Sequence, residues 1–150
     1  MSRSAATPLR FDPNQQGPLH DIRVVDLSRL VAGNMLTAYL ADFGADVVKV
    51  ERPGAGDDLR NWREAGQAIY WKVYGRNKRS MALDLRSDEG LASLRKLIAH
   101  SQVLVENFVP GGLEKMGLAP EQLHALNPAL VIVRISGWGQ TGPYSHKPGF

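Results

Sequence analysis

Two polar segments of this chain have residue types suited to binding a phosphorylated ligand. The first, residues 75–80, reads Gly-Arg-Asn-Lys-Arg-Ser and leads into a predicted strand. The second, residues 105–111, reads Val-Glu-Asn-Phe-Val-Pro-Gly and directly follows another predicted strand. In an open α/β sheet, ligands bind at the carboxyl ends of strands, where such turns lie. Together the two segments predict a site for a phosphorylated ligand with an adenine-like ring.

The distribution of charge supports an anion site. Between residues 60 and 86 there are seven cations and two acids, and such a local excess concentrates small anions. A solvated basic face is the alternative interpretation. The net charge of +3 is too small to indicate a nucleic-acid partner. The apolar fraction of 43% over 150 residues is typical of one globular domain with a real core.

Several kinds of site are excluded or not indicated. Because the chain has no cysteine, it has no disulfide, thiolate metal site or cysteine nucleophile. Its four histidines lack metal-ligand spacing, so no metal is predicted. The turn after the first predicted strand lacks the three glycines of a dinucleotide fingerprint, and there is no P-loop.

Residues 1–18 read as a loose polar arm rather than a secretory signal. No apolar run is long enough to span a membrane, and we expect a cytoplasmic protein.

The elements that must position these segments alternate along the chain. Predicted strands cover residues 22–27, 46–50, 80–85, 103–105 and 130–135. Predicted helices cover residues 35–43, 87–100, 112–116 and 120–126. Ser87 is the N-cap candidate of the second helix, and Pro120 suits the first position of the last. Residues 61–74 have no clear pattern. This order predicts an α/β fold, with a Rossmann-like, mostly parallel sheet and helices on both faces.

Five blocks of sequence resemble the start of family III CoA-transferases, the CaiB/BaiF group that includes formyl-CoA transferases and α-methylacyl-CoA racemases. The blocks span residues 22–28, 44–53, 77–85, 105–117 and 136–150. The resemblance implies that residues 19–150 are the N-terminal part of a large CoA-binding domain, with the rest of the protein absent. It also implies an interlocked homodimer and, as substrates, coenzyme A carried as acyl-CoA and a small carboxylic acid.

The catalytic group implied by the resemblance is an Asp that forms an aspartyl-CoA thioester. In the family that Asp lies beyond the position of Phe150, so no residue of this chain is assigned as catalytic. In the racemase branch a His base stands where Phe150 stands here, and a phenyl ring cannot exchange a proton. We therefore expect a transferase. A racemase, and a non-catalytic CoA-binding or interaction fragment, remain the alternatives.

The resemblance also implies which residues of this chain contact CoA. The residues assigned to it are Val31, Ala32, Arg52, Leu83, Asp84, Leu85, Arg86, Asn107, Phe108 and Lys115. The three cations among them would supply charge-assisted hydrogen bonds to the CoA phosphates. Lys115 stands where the family often has Arg, which keeps the charge but loses the bidentate geometry. Simple surface exposure of Arg52 and core packing of Phe108 are the alternatives.

A structural role is expected for the remaining charged residues of these blocks. We interpret Lys78 and Arg79 as structural, with Arg79 pairing with an acid such as Asp84 or Glu106. Asp26 and Glu106 end predicted strands, and we expect them to hydrogen-bond the following turns rather than act as a catalytic pair.

Overall fold

A five-stranded parallel sheet organises the computed structural model, which describes residues 16–149. The strands are β1 (Arg23–Asp26), β2 (Asp46–Glu51), β3 (Lys78–Ala82), β4 (Val103–Glu106) and β5 (Val131–Arg134). Their order is β3-β2-β1-β4-β5, and all neighbours are parallel. The predicted fold class is therefore confirmed. Most of the predicted arm, residues 1–15, and Phe150 lie outside the described residues.

The helices follow the strands as the sequence predicts, with differences at their ends. They are α1 (Ala32–Asp42), α2 (Ile69–Tyr74), α3 (Asp88–Ala99), α4 (Gly112–Lys115) and α5 (Pro120–Leu126), with a 3-10 helix at Asp58–Asn61. The predicted cap of α3 is present, because Ser87 Oγ accepts a hydrogen bond from Gly90 N at 3.0 Å. α1 begins earlier than predicted, and α2 lies within the segment that the sequence left unassigned.

Strand β3 covers Lys78–Ala82 rather than the predicted residues 80–85. Leu83 still donates its N–H to Glu51 O at 3.0 Å. Beyond it, however, Ser87 N bonds to Asp84 O at 3.1 Å, which closes a turn instead of extending the sheet. The alternating apolar residues after Ala82 therefore belong to the connection between β3 and α3.

Helices pack on both faces of the central strands, whose successive side chains point to opposite faces of the sheet. Val24 packs on the side of α1, with Ala41 and Ala45. Its neighbour Val25 packs on the opposite side, with Leu94 of α3. This arrangement confirms the predicted helices on two faces and is typical of buried parallel sheets.

The strand order places a topological switch point at β1. From β1 the chain proceeds to β2 and β3 on one side, and it then returns to β4 and β5 on the other. The turns after β1 and β4 therefore diverge at the carboxyl edge of the sheet. A crevice is expected there, and in such folds that crevice binds the ligand.

Candidate functional site

A cleft of about 710 Å³ opens at the carboxyl edge of the sheet. The turns after β1, β2, β3 and β4 form it, together with parts of α3 and α4. Seven of the ten predicted contact residues line it: Arg52, Leu83, Asp84, Leu85, Arg86, Phe108 and Lys115. The structure thus brings together residues that are up to 63 positions apart in the sequence, because four parallel strands end at the same edge.

The other three predicted residues do not line this cleft. Val31 and Ala32 lie at the start of α1. Asn107 uses its side-chain amide on the backbone of Arg29, where Oδ1 accepts from Arg29 N at 2.8 Å and Nδ2 donates to Arg29 O at 2.9 Å. Asn107 therefore joins the turn after β4 to the turn after β1, across the switch point.

Sequence reasoning missed several residues of the cleft wall. Among them are Ser28 and Arg29 after β1, Glu51 and Asp57 near the end of β2, and Met116 after α4. A cation directly after the first strand was the available signal for Arg29. No local sequence pattern indicated Glu51 and Asp57, since most of their hydrogen-bond partners lie on other elements.

Two arginines at the cleft share one carboxylate. Arg52 Nη2 donates to Asp58 Oδ1 at 2.6 Å, and Arg29 Nη2 donates to Asp58 Oδ2. The hydrogen bond from Arg29, with the nearby positive charges, lowers the pKa of Asp58 against the opposing effect of burial. One positive charge remains on this group of three side chains.

Arg86 and Lys115 are the cations of the cleft that have no such partner. Within residues 16–149, neither side chain forms an ion pair or hydrogen bond. The backbone N–H of Arg86 donates to Asp84 Oδ1 at 3.0 Å, which stabilises the main chain of this turn. The cleft therefore presents two cations without an ion-pair partner beside one carboxylate, that of Asp84, an arrangement suited to an anionic ligand.

The wall after β2 is held by an ionised carboxylate. Glu51 accepts from Arg60 Nε at 2.6 Å, from Ser80 Oγ at 2.7 Å and from Asp57 N at 2.8 Å. Burial opposes ionisation of Glu51, but these hydrogen bonds and the charge of Arg60 outweigh it and lower its pKa to about 2. The turn that carries Arg52 is thereby tied to β2 and β3.

A buried ionic cluster lies behind the turn after β1. Lys49 Nζ lies 3.3 Å from Asp26 Oδ1 and 3.2 Å from Asp57 Oδ2, and Lys78 Nζ lies 3.2 Å from Asp26 Oδ2. Burial lowers the pKa of Lys78 to about 8, although Asp26 opposes the shift. Two acids and two lysines therefore balance one another in this buried cluster. These contacts agree with the structural interpretation of Lys78, which stays a prediction.

The prediction that residues 75–80 belong to the ligand site is wrong for this cleft. Residues 75–77 precede β3 and residues 78–80 form its first half, so the segment lies toward the amino edge of the sheet, opposite the cleft. Arg79 Nη2 donates to Asp46 at 2.5 Å, and Arg76 pairs with Asp42. Arg79 pairs with an acid, as expected, but its partner is Asp46 rather than Asp84 or Glu106.

The two strand-ending acids have the predicted role. Asp26 Oδ1 accepts from Ser28 N at 2.9 Å, and Glu106 Oε2 accepts from Phe108 N at 2.6 Å. Each carboxylate therefore shapes the turn that follows its own strand. Asp26 and Glu106 are buried, and neither lines the cleft.

Comparison with known proteins identifies the family. The model of CoA-transferase family III matches residues 19–150. The chain belongs to CoA-transferase family III. It is 51% identical over 136 residues to a succinyl-CoA–D-citramalate CoA-transferase of Chloroflexus aurantiacus, covering 89% of this chain and 34% of that protein. It is 42% identical over 142 residues to the mouse succinyl-CoA:glutarate CoA-transferase, covering 93% of this chain and 33% of the relative.

A solved structure agrees with this assignment. A CaiB/BaiF family protein from Brucella suis superimposes with a TM-score of 0.86 at 43% identity, covering 91% of this chain and 38% of that one. The chain spans about a third of the length of the family III relatives it matches. Over residues 16–149, no cluster of His, Asp or Glu is placed to hold a metal ion, and no helix is long and apolar enough to cross a membrane.

Proposed function

We propose that the complete protein transfers CoA between an acyl-CoA donor and a carboxylic acid acceptor. The exchange proceeds through an aspartyl-CoA thioester, on an Asp that lies beyond residue 150. A carboxylate is a weak nucleophile, so covalent steps divide one difficult exchange into easier ones. The observation that carries this proposal is the cation-lined cleft at the carboxyl edge of the sheet, in a chain of CoA-transferase family III.

The cleft residues have complementary roles in this proposal. Arg52, Arg86 and Lys115 bind the phosphates of CoA through charge-assisted hydrogen bonds. The apolar side chains of Leu83, Leu85 and Phe108 cover the adenosine or the pantetheine arm. Val31 and Ala32 lie further along the pantetheine path, at the start of α1. Asn107 acts on the backbone of Arg29 and so holds the shape of the cleft.

The names of the relatives suggest the substrates. Both matched enzymes are named for succinyl-CoA, and their partners are the dicarboxylic acids citramalate and glutarate. We propose succinyl-CoA or a similar dicarboxylic acyl-CoA as donor, and a small carboxylic acid as acceptor. The reaction would take place in the cytoplasm.

An interlocked homodimer is part of the same proposal. Three large apolar side chains on α1 and at its C-cap are at least one-third exposed: Met35 at 37%, Tyr39 at 54% and Phe43 at 58%. They follow one another at four-residue spacing and so lie on one face of the helix. A face of this kind is typical of a surface that another part of an assembly covers.

The test is a transfer assay on the complete protein. Succinyl-CoA is incubated with candidate acids such as glutarate, and the CoA esters are separated by chromatography. We expect a new acyl-CoA that forms only when both substrates are present. CoA binding without transfer would indicate the non-catalytic alternative. Exchange of an α-proton in a branched acyl-CoA without transfer would indicate a racemase.

A further inference from the structure

Asp58 lies where two cationic side chains of the cleft meet. Arg29 arrives from the turn after β1 and Arg52 from the turn after β2, and both guanidinium groups contact the one carboxylate. The side chains of Arg29 and Arg52 are 51% and 54% exposed, and that of Asp58 is 33% exposed. A dissolved anion can therefore reach the same guanidinium groups, and it would compete with Asp58 for them.

The position of Asp58 is fixed by its neighbour. Asp57 is buried, and its carboxylate accepts from Leu59 N at 2.8 Å and from Asn34 Nδ2 at 3.0 Å. It also pairs with the buried Lys49 at 3.2 Å. These contacts fix the backbone next to Asp58. We therefore expect the side chain of Asp58, rather than the loop, to move when a ligand approaches.

We propose that Asp58 is an internal counter-ion that occupies the phosphate position between Arg29 and Arg52 until a phosphate displaces it. The carboxylate keeps both guanidinium groups oriented in the free protein. It also lowers the affinity of the cleft for small anions, since an incoming anion must replace an existing charged partner. Ligands with several phosphates, which also reach Arg86 and Lys115, are favoured over single small anions. This inference rests on the proposed function, because it concerns how the same cleft selects its ligand.

The test compares anion affinity in variants of the complete protein. Inorganic pyrophosphate is titrated into wild-type protein and Asp58→Asn at low salt. We expect the variant to bind pyrophosphate about two- to fivefold more tightly, the range that an exposed charged contact supplies. The gain should shrink at 0.5 M NaCl, because salt screens exposed charges.

Two further variants separate this effect from a general change of charge. Glu121→Gln removes one negative charge from α5, which does not line the cleft, and should bind pyrophosphate like the wild type. Asp58→Glu keeps the charge and should show no gain. If Asp58→Asn gains nothing, or if no protein binds pyrophosphate, the proposal is wrong. A gain in Asp58→Asn without any binding of CoA would leave Asp58 a counter-ion but contradict the proposed function.

Discussion

Arg52 reaches the cleft while one of its nitrogens contacts Asp58, so it is oriented before any ligand arrives. We expect Arg52→Ala to weaken CoA binding in the complete protein about two- to fivefold, because one partly exposed charged contact is lost. Titration calorimetry measures the change. Lys96→Ala on α3 is the control, since Lys96 is exposed and does not line the cleft. A CoA affinity equal to that of the wild type would contradict the assignment of Arg52 to the CoA site.

Glu51 gives a prediction for stability at low pH. Its pKa is about 2 in the folded protein, below the usual 4.5, so its stabilising effect is present above about pH 4.5 and is lost as the pH falls toward 2. The shift corresponds to about 3 kcal/mol of unfolding free energy. We expect Glu51→Gln to be less stable than the wild type at pH 7, and the difference to shrink between pH 4.5 and 2.

Urea denaturation at a series of pH values tests the role of Glu51. Glu121→Gln serves as the control, because Glu121 is exposed and should leave the pH dependence unchanged. A constant difference between wild type and Glu51→Gln across this pH range would mean that Glu51 is not held ionised by Arg60 and Ser80.

Among the elements, α3 packs closely on the segment that forms one cleft wall. A Cβ at Gly90 would lie 2.0 Å from Asp84 O and 2.7 Å from its carbonyl carbon. We expect Gly90→Ala to displace the backbone around Asp84 and to destabilise the protein by about 1–3 kcal/mol, despite the higher helix propensity of alanine. CoA affinity should fall as well, because Leu83–Arg86 would move.

The urea midpoint and a CoA titration together test the Gly90 prediction. Ser93→Ala on the exposed side of α3 is the matched control and should change neither. Unchanged stability in Gly90→Ala would show that the contact between α3 and the turn after β3 is looser than the structure indicates.

Helix α4 is positioned by ion pairs between residues far apart in the sequence, and local sequence patterns do not predict them. Arg134 of β5 donates to Glu106 at 2.7 Å and to Glu114 at 2.7 Å, and thereby ties the end of β4 to the helix that carries Lys115. From sequence, Arg134 was only a cation in an otherwise apolar strand. Its partners lie 28 and 20 residues away, and local patterns contain no information about them.

Helices and strands could be predicted from the sequence where neighbouring residues alone indicate them. Strands β1, β2 and β5 are short β-branched runs, and α5 begins at its proline. The helix α2 was missed because five of its six residues are apolar or aromatic, so the sequence has no alternation of apolar and polar faces to detect. The role of residues 75–80 was misassigned for a related reason, since composition reveals charge but not the edge of the sheet at which it lies.

At the scale of the whole molecule, the exposed face of α1 predicts association. We expect the 150-residue chain alone to self-associate as its concentration rises, because Met35, Tyr39 and Phe43 leave apolar surface in water. Tyr39→Ser combined with Phe43→Ser should reduce association, as measured by sedimentation. Leu126→Ser, which removes a single exposed apolar residue on α5, should not. A monomer at all concentrations would contradict the assignment of this face to an interface.

We expect the carboxyl edge of the sheet to bind CoA through Arg86 and Lys115, the unpaired cations of the cleft. The most direct measurement is a calorimetric titration of CoA into the complete protein and into its Arg86→Ala, Lys115→Ala double variant. We expect binding by the wild type and an affinity about four- to twenty-fivefold lower in the double variant, since two exposed charged contacts are lost. Equal CoA affinity in the two proteins would contradict the claim.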